Sequence, residues 1–161
     1  MEARIAGISK DSIVDGPGLR HAVFFQGCPH RCTGCHNPHT WDLDGGKFMD
    51  VESIAMDAIN DPLCSGITLT GGEPLMWKCQ ASIIAEICKE AGMSVWLYTG
   101  FTFENVCYHP LFRYVDVCVD GLFIEKLKSY DLKWKGSSNQ RVIDVKKWRE
   151  TGKVEEWKPK E

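Results

Sequence analysis

The chain has 161 residues, 43% of them hydrophobic, with 19 basic and 22 acidic side chains and a formal net charge of −3. That is enough chain for a single domain over residues 1–161 with its own core, and charges this evenly mixed give no general footprint for nucleic acid or a membrane surface. No run is apolar and long enough to cross a bilayer. The first ten residues carry Glu2, Arg4 and Lys10 and no apolar signal core, so a cytoplasmic protein with reduced thiols is expected.

In chain order, Gly16-Pro17-Gly18 has proline and glycine at the central positions of a type II turn. Val23-Phe24-Phe25 is a short apolar run that ends at a cysteine-rich loop. Val51, Ile54, Ala55, Ala58 and Ile59 recur on one helical face, which predicts a helix capped by Asp50 and stopped before Pro62. Residues 66–70 are strand-like and run into Gly71-Gly72. Ile83, Ile84, Ile87, Cys88 and Ala91 predict a second helix closed by Gly92. Further strands are expected at 94–98, 115–119 and 141–145, and a solvated tail or frayed helix beyond. Strands alternating with helices predict β-α-β units and a parallel sheet, with any site at the C-terminal strand ends. Four such ends carry unusual residues: the cysteine loop, Gly-Gly-Glu, Thr-Gly and Asp-Gly. A full barrel takes about 250 residues. The expected fold is therefore α/β, a shortened, open partial (βα) barrel.

Cys28, Cys32 and Cys35 form a C-x3-C-x2-C pattern inside ten residues. Three thiolates so placed can hold three irons of a cubane cluster and leave the fourth iron open to a small molecule. An electron-carrying ferredoxin has every iron ligated by cysteine. A zinc site completed by His30, His36 or His39 is the alternative, but the three-residue gap suits it poorly. The other five cysteines, Cys64, Cys79, Cys88, Cys107 and Cys118, form no C-x2-C pair and read as small apolar fillers. Cys79 and Cys88 fall on opposite faces of the second helix. Thr70-Gly71-Gly72-Glu73-Pro74 sits at a strand end. Its glycines let the backbone approach a ligand, and Glu73 could neutralise an ammonium.

Cys28, Cys32, Cys35 and the Gly71-Gly72-Glu73-Pro74 turn together resemble the radical S-adenosylmethionine enzymes. The resemblance implies a [4Fe-4S] cluster on the three cysteines and S-adenosyl-L-methionine as the second cofactor. One electron would split adenosylmethionine into methionine and a hydrogen-abstracting 5′-deoxyadenosyl radical. Many members carry an aromatic residue where this chain has Gly34, so adenine stacking falls to His36 or another residue. The implied cofactor-binding set is Gly34, Cys35, His36, Gly71, Gly72, Glu73 and Asp120.

The segments 12–20, 35–41, 98–100, 115–121 and 136–141 narrow the resemblance to glycyl-radical-enzyme activases, and within them to activating proteins of anaerobic ribonucleotide reductase. The implied substrate is a backbone glycine of the large subunit of the anaerobic ribonucleoside-triphosphate reductase. The implied reductant is a low-potential donor such as flavodoxin or ferredoxin. The rivals are an activase of pyruvate formate-lyase or another glycyl-radical enzyme, a deazaguanine-forming enzyme of the same superfamily, a non-catalytic iron–sulfur electron carrier, and a zinc module.

Two further expectations concern the C-terminal third. Asp116, Cys118 and Asp120 alternate with valines on one strand, which places Asp120 either at the crevice or as a helix cap. Ser137, Ser138, Asn139 and Arg141 could bind the partner's backbone, with Trp134, Trp148 and Trp157 as interface aromatics. Alternatively the tryptophans pack on the domain and the Ser-Ser-Asn turn caps the last strand.

Overall fold

The computed structural model describes residues 1–159 as one mixed α/β sheet structure. Seven strands form a single open sheet in the order β3-β1-β2-β4-β5-β6-β7. They are β1 (Glu2–Ser12), β2 (Arg20–Phe25), β3 (Lys47–Asp50), β4 (Gly66–Gly71), β5 (Ser94–Tyr98), β6 (Val117–Asp120) and β7 (Arg141–Asp144). The helices are α1 (Val51–Asn60), α2 (Lys78–Glu90), α3 (Phe103–Val106) and α4 (Val145–Thr151).

Strands β2, β4, β5 and β6 run parallel, so their C-terminal ends lie side by side. The pairs Phe25↔Gly71 and Tyr98↔Val119 fix that alignment. The sheet is not wholly parallel, as the alternation of strands and helices had suggested. Strand β1 pairs antiparallel with both β2 and β3, and β7 pairs antiparallel with β6. The reason lies in the connections. A turn at residues 13–19 joins β1 to β2 with no helix, and only a crossover returns a chain in the same direction. Strands β1 and β3 lack a clean two-residue alternation, which hid them. The expected tail contains α4, capped by Asp144, whose carboxylate accepts from Lys147 N–H at 3.0 Å.

The two faces of the sheet follow the two-residue period. Val95, Leu97, Cys118 and Ile143 face the helices and join the buried layer of Ile54, Ala58, Ile84 and Ala85. Trp96, Val117, Val119 and Val142 face the other way, under Tyr98, Trp134 and Trp157. Helix α1 begins at Asp50, whose side chain accepts from Ser53 N–H at 3.0 Å. Cys88 is buried on α2 while Cys79 is exposed, and Cys107 and Cys118 are buried in the core. Gly18, at φ 76°, adopts the left-handed conformation that a type II turn requires at that position.

Candidate active site

The cysteine loop leaves β2 at Phe25 and is tied at both ends by backbone. Gly27 N–H donates to Thr40 C=O at 2.5 Å and Cys28 N–H to Trp41 C=O at 3.3 Å. Inside the loop Cys35 N–H donates to Cys32 C=O at 3.1 Å, and Asn37 N–H lies 3.4 Å from Cys35 Sγ. Gly34 has φ 76°, and a Cβ there would lie 2.9 Å from the Glu125 side chain. Any side chain here would be strained by the left-handed backbone and would have to push aside the exposed Glu125 side chain. All three cysteines are partly exposed and free. Burial pushes the Cys28 thiol up, against hydrogen bonds from the His30 and Arg31 backbone that lower it.

The Gly-Gly-Glu turn is clamped to that loop. Gly72 N–H donates to Phe25 C=O at 3.0 Å, and Glu73 N–H donates to Gly27 C=O at 2.8 Å. A Cβ on Gly72 would stand 2.4 Å from Gly27 O, and one on Gly71 2.4 Å from Phe25 N. Both glycines are therefore required by contact with the chain's own backbone, whatever they do for a ligand.

Glu73 departs from the expectation that its carboxylate meets a ligand ammonium. It is fully buried and its oxygens are taken. They accept from Leu75 N–H at 3.1 Å, Gly100 N–H at 2.8 Å and the Thr99 hydroxyl at 2.9 Å, and pair with His30 Nε2 at 2.6 Å.

A cavity of about 480 Å³ opens at the C-terminal ends of the parallel strands. Cys28, Cys32, Cys35, His36, Gly71 and Gly72 line one part of it, and Tyr98, Phe123, Tyr130 and Trp134 another. His36 and Phe123 are in aromatic contact, with ring centroids 5.4 Å apart. Two buried polar atoms of cavity-lining residues, Trp41 Nε1 and Tyr98 Oη, have no hydrogen-bond partner among the described residues. Unpaired buried donors are uncommon and call for a partner. Among the described residues no three His, Cys, Asp or Glu side chains converge on one point able to hold a single metal ion. The three thiols share a wall instead, which suits a cluster that binds each one at a different iron. The residues present fit an iron–sulfur cluster with a polar small molecule beside it.

Asp120 is outside this cavity. Its side chain lies on the helix side of β6, where it accepts from Phe103 N–H at 2.8 Å and from Arg141 Nε at 3.1 Å. It takes the first N–H of α3, whose N-cap residue is Thr102, and β6 turns Val119 rather than Asp120 toward the cavity. The segment around Ser137 also turns inward. Ser137 is buried and its hydroxyl accepts from Ile124 N–H at 3.2 Å, while Asn139 donates to Leu122 C=O at 2.8 Å. Arg141 is held above its ordinary value, chiefly by hydrogen bonds to Glu104 and then to Asp120. Ser138 alone of the four is exposed without a side-chain hydrogen bond. The tryptophans pack on the domain: Trp134 and Trp157 meet Trp96 at 5.6 and 5.0 Å, and Trp148 meets Phe103 at 5.1 Å. Within the turn, Ser137 and Asn139 bond neighbouring backbone and Arg141 bonds two carboxylates.

The candidate site read from sequence did not include Trp41, Tyr98, Thr99 or Gly100. They entered through the resemblance of segments 35–41 and 98–100 and, for the last three, through their place at a strand end.

Residues 14–143 match the family described as a 4Fe-4S single cluster domain. The cavity with its three thiols thus belongs to an iron–sulfur protein. The chain is 34% identical to the anaerobic ribonucleoside-triphosphate reductase-activating protein of Enterobacteria phage T4, over 90% of this chain and 92% of that one. It is 36% identical to the protein of the same name in Escherichia coli (strain K12), over 81% and 91%. The pyruvate formate-lyase-activating enzyme of Clostridium pasteurianum is 37% identical over 71% of this chain, but only half of that enzyme is covered. The chain belongs to the family of anaerobic ribonucleoside-triphosphate reductase-activating proteins.

Proposed function

We propose that the protein is an activase that generates a glycyl radical on the large subunit of an anaerobic ribonucleoside-triphosphate reductase. A [4Fe-4S] cluster with an open iron and S-adenosyl-L-methionine together supply a one-electron cleavage that yields a hydrogen-abstracting radical. The observation that carries the reading is a single cavity that unites Cys28, Cys32 and Cys35 with Gly71-Gly72 at the ends of parallel strands. The three cysteines hold the cluster. Gly72 offers backbone to the amino-acid end of the cofactor, and the lining residues Tyr98 and Trp41 supply donors not used within the described residues. His36 and Phe123 form an aromatic wall beside Gly34, where an adenine can stack. The single domain is a shortened partial barrel, and its open sheet leaves the mouth wide enough for a peptide loop.

No described helix is long and apolar enough to cross a membrane. The partner is the reductase subunit, the donor a low-potential flavodoxin or ferredoxin, and the compartment the cytoplasm. The test is reconstitution with iron and sulfide, then incubation with reductant, adenosylmethionine and the reductase. Deoxyadenosine release with a glycyl doublet on the partner in low-temperature radical spectra is expected. Iron uptake without deoxyadenosine would mean an electron carrier, and zinc without iron a structural module.

A further inference from the structure

Glu73 has the environment of a keystone rather than of a ligand-binding acid. It is completely buried, yet among the described residues it has no lysine or arginine partner. Its four partners come from three different strand ends. His30 lies in the cysteine loop, Leu75 follows the Gly-Gly turn, and Thr99 and Gly100 end β5. Thr99 repeats the pattern, because its hydroxyl also accepts from Phe101 N–H at 3.1 Å. His30 is pinned a second way. Its ring is edge-on to Phe101, 4.6 Å between centroids, and a Cβ at Gly100 would lie 2.5 Å from its Cδ2. Glycine at position 100 is what lets the imidazole sit flat on the Thr-Gly turn. His30 stands midway between Cys28 and Cys32, and Arg31 beside it has φ 48°, an uncommon backbone state for a residue with a side chain. Among the described residues, the one side-chain hydrogen bond that leaves the arc between these two cysteines is the one from His30 to Glu73.

We propose that His30 and Glu73 are positioning residues. The pair locks the arc of residues 28–32 against the Thr99-Gly100 turn, so that the Cys28 and Cys32 thiols hold one arrangement before any cluster is bound. The inference rests on the reading of Cys28, Cys32 and Cys35 as cluster ligands. It assigns the glutamate of Gly-Gly-Glu to the cysteine loop, not to the cofactor's ammonium.

Glu73→Gln alters a fully buried group and can unfold the domain, so the decisive variants are at His30, whose side chain keeps 12% of its surface exposed. The first measurement uses the protein without metal. The alkylation rate of each cysteine by iodoacetamide is read by peptide mass spectrometry, with exposed Cys79 as internal control. His30→Ala should speed alkylation of Cys28 and Cys32 about tenfold, the change that follows from losing the ordering effect of one hydrogen bond to a charged group. Cys79 should not change. His30→Gln, which returns an N–H at similar reach, should recover most of the difference. The second measurement is the spin-resonance signal of the reduced, reconstituted cluster with and without adenosylmethionine. His30→Ala should alter its g-values, and His30→Gln should restore them. Unchanged alkylation rates and spectra in His30→Ala, or no rescue by His30→Gln, would overturn the proposal. A wild-type protein that takes up no iron would sink the cluster reading instead, and the alkylation contrast would still decide the positioning role.

Discussion

Replacing Gly72 with alanine drives a methyl group into the backbone of the cysteine loop. The new Cβ would lie 2.4 Å from Gly27 O and 2.9 Å from both Gly27 C and Phe25 O. None of these is the end of a flexible side chain, so the loop or the turn must move. Overpacking of this kind costs about 1–3 kcal/mol. The movement also strains two hydrogen bonds, Gly72 N–H to Phe25 C=O and Glu73 N–H to Gly27 C=O, each contributing about 1 kcal/mol. The sum is roughly 3–5 kcal/mol. For a chain of this size that lowers Tm by about 10 °C. Thermal unfolding of the metal-free protein by circular dichroism measures it. Gly27 adjoins Cys28, so iron content after reconstitution should fall as well. A Gly72→Ala protein that melts within about 2 °C of wild type and takes up full iron would refute the steric argument.

Alanine at Cys28, Cys32 or Cys35 should abolish iron binding, while the same change at Cys64, Cys79, Cys88, Cys107 or Cys118 should leave iron content near wild type. In the folded protein burial pushes the Cys88 thiol up to about 12 and raises Cys118 as well, so at pH 8 iodoacetamide should label Cys79 and spare both. Arg20 is fully buried and donates to Thr68 Oγ1, Ser94 Oγ, and the carbonyls of Pro17, Ile67 and Ser94. Arg20→Met should therefore lose about 3–5 kcal/mol by urea unfolding, since it leaves buried acceptors unpaired. Arg141 holds the Glu104 carboxyl below its ordinary value near 4.5, through hydrogen bonds first. That contribution is present above 4.5 and is lost as pH falls through the lowered value. Glu104→Gln should flatten stability between pH 3 and 6 by less than about 1 kcal/mol, because the pair is half exposed.

Local pattern alone located α1 with its Asp50 cap, α2 with Gly92 after it, and the parallel strands, since helical and strand periods and caps act over a few residues. The C-x3-C-x2-C spacing suggested a cluster for the same reason, since a candidate ligand set on one short loop is visible without a fold, and the Gly-Gly-Glu turn acquired its meaning from the resemblance. Strand direction was not visible. β1 and β7 are antiparallel because of how the chain returns, which is a property of connections and not of composition. Nor could the sequence assign the partners of its polar side chains. Glu73, Asp120, Ser137 and Arg141 all read as groups that could face a ligand or a partner. Only the tertiary structure shows their hydrogen bonds spent within the chain, with partners 13 to 43 residues away. A carboxylate 0% exposed must satisfy itself from whatever backbone the fold brings near it. Residue type sets what such a group can bond, but three-dimensional proximity decides what it does bond, and at Glu73 the difference separates a ligand contact from the support of the loop beside it.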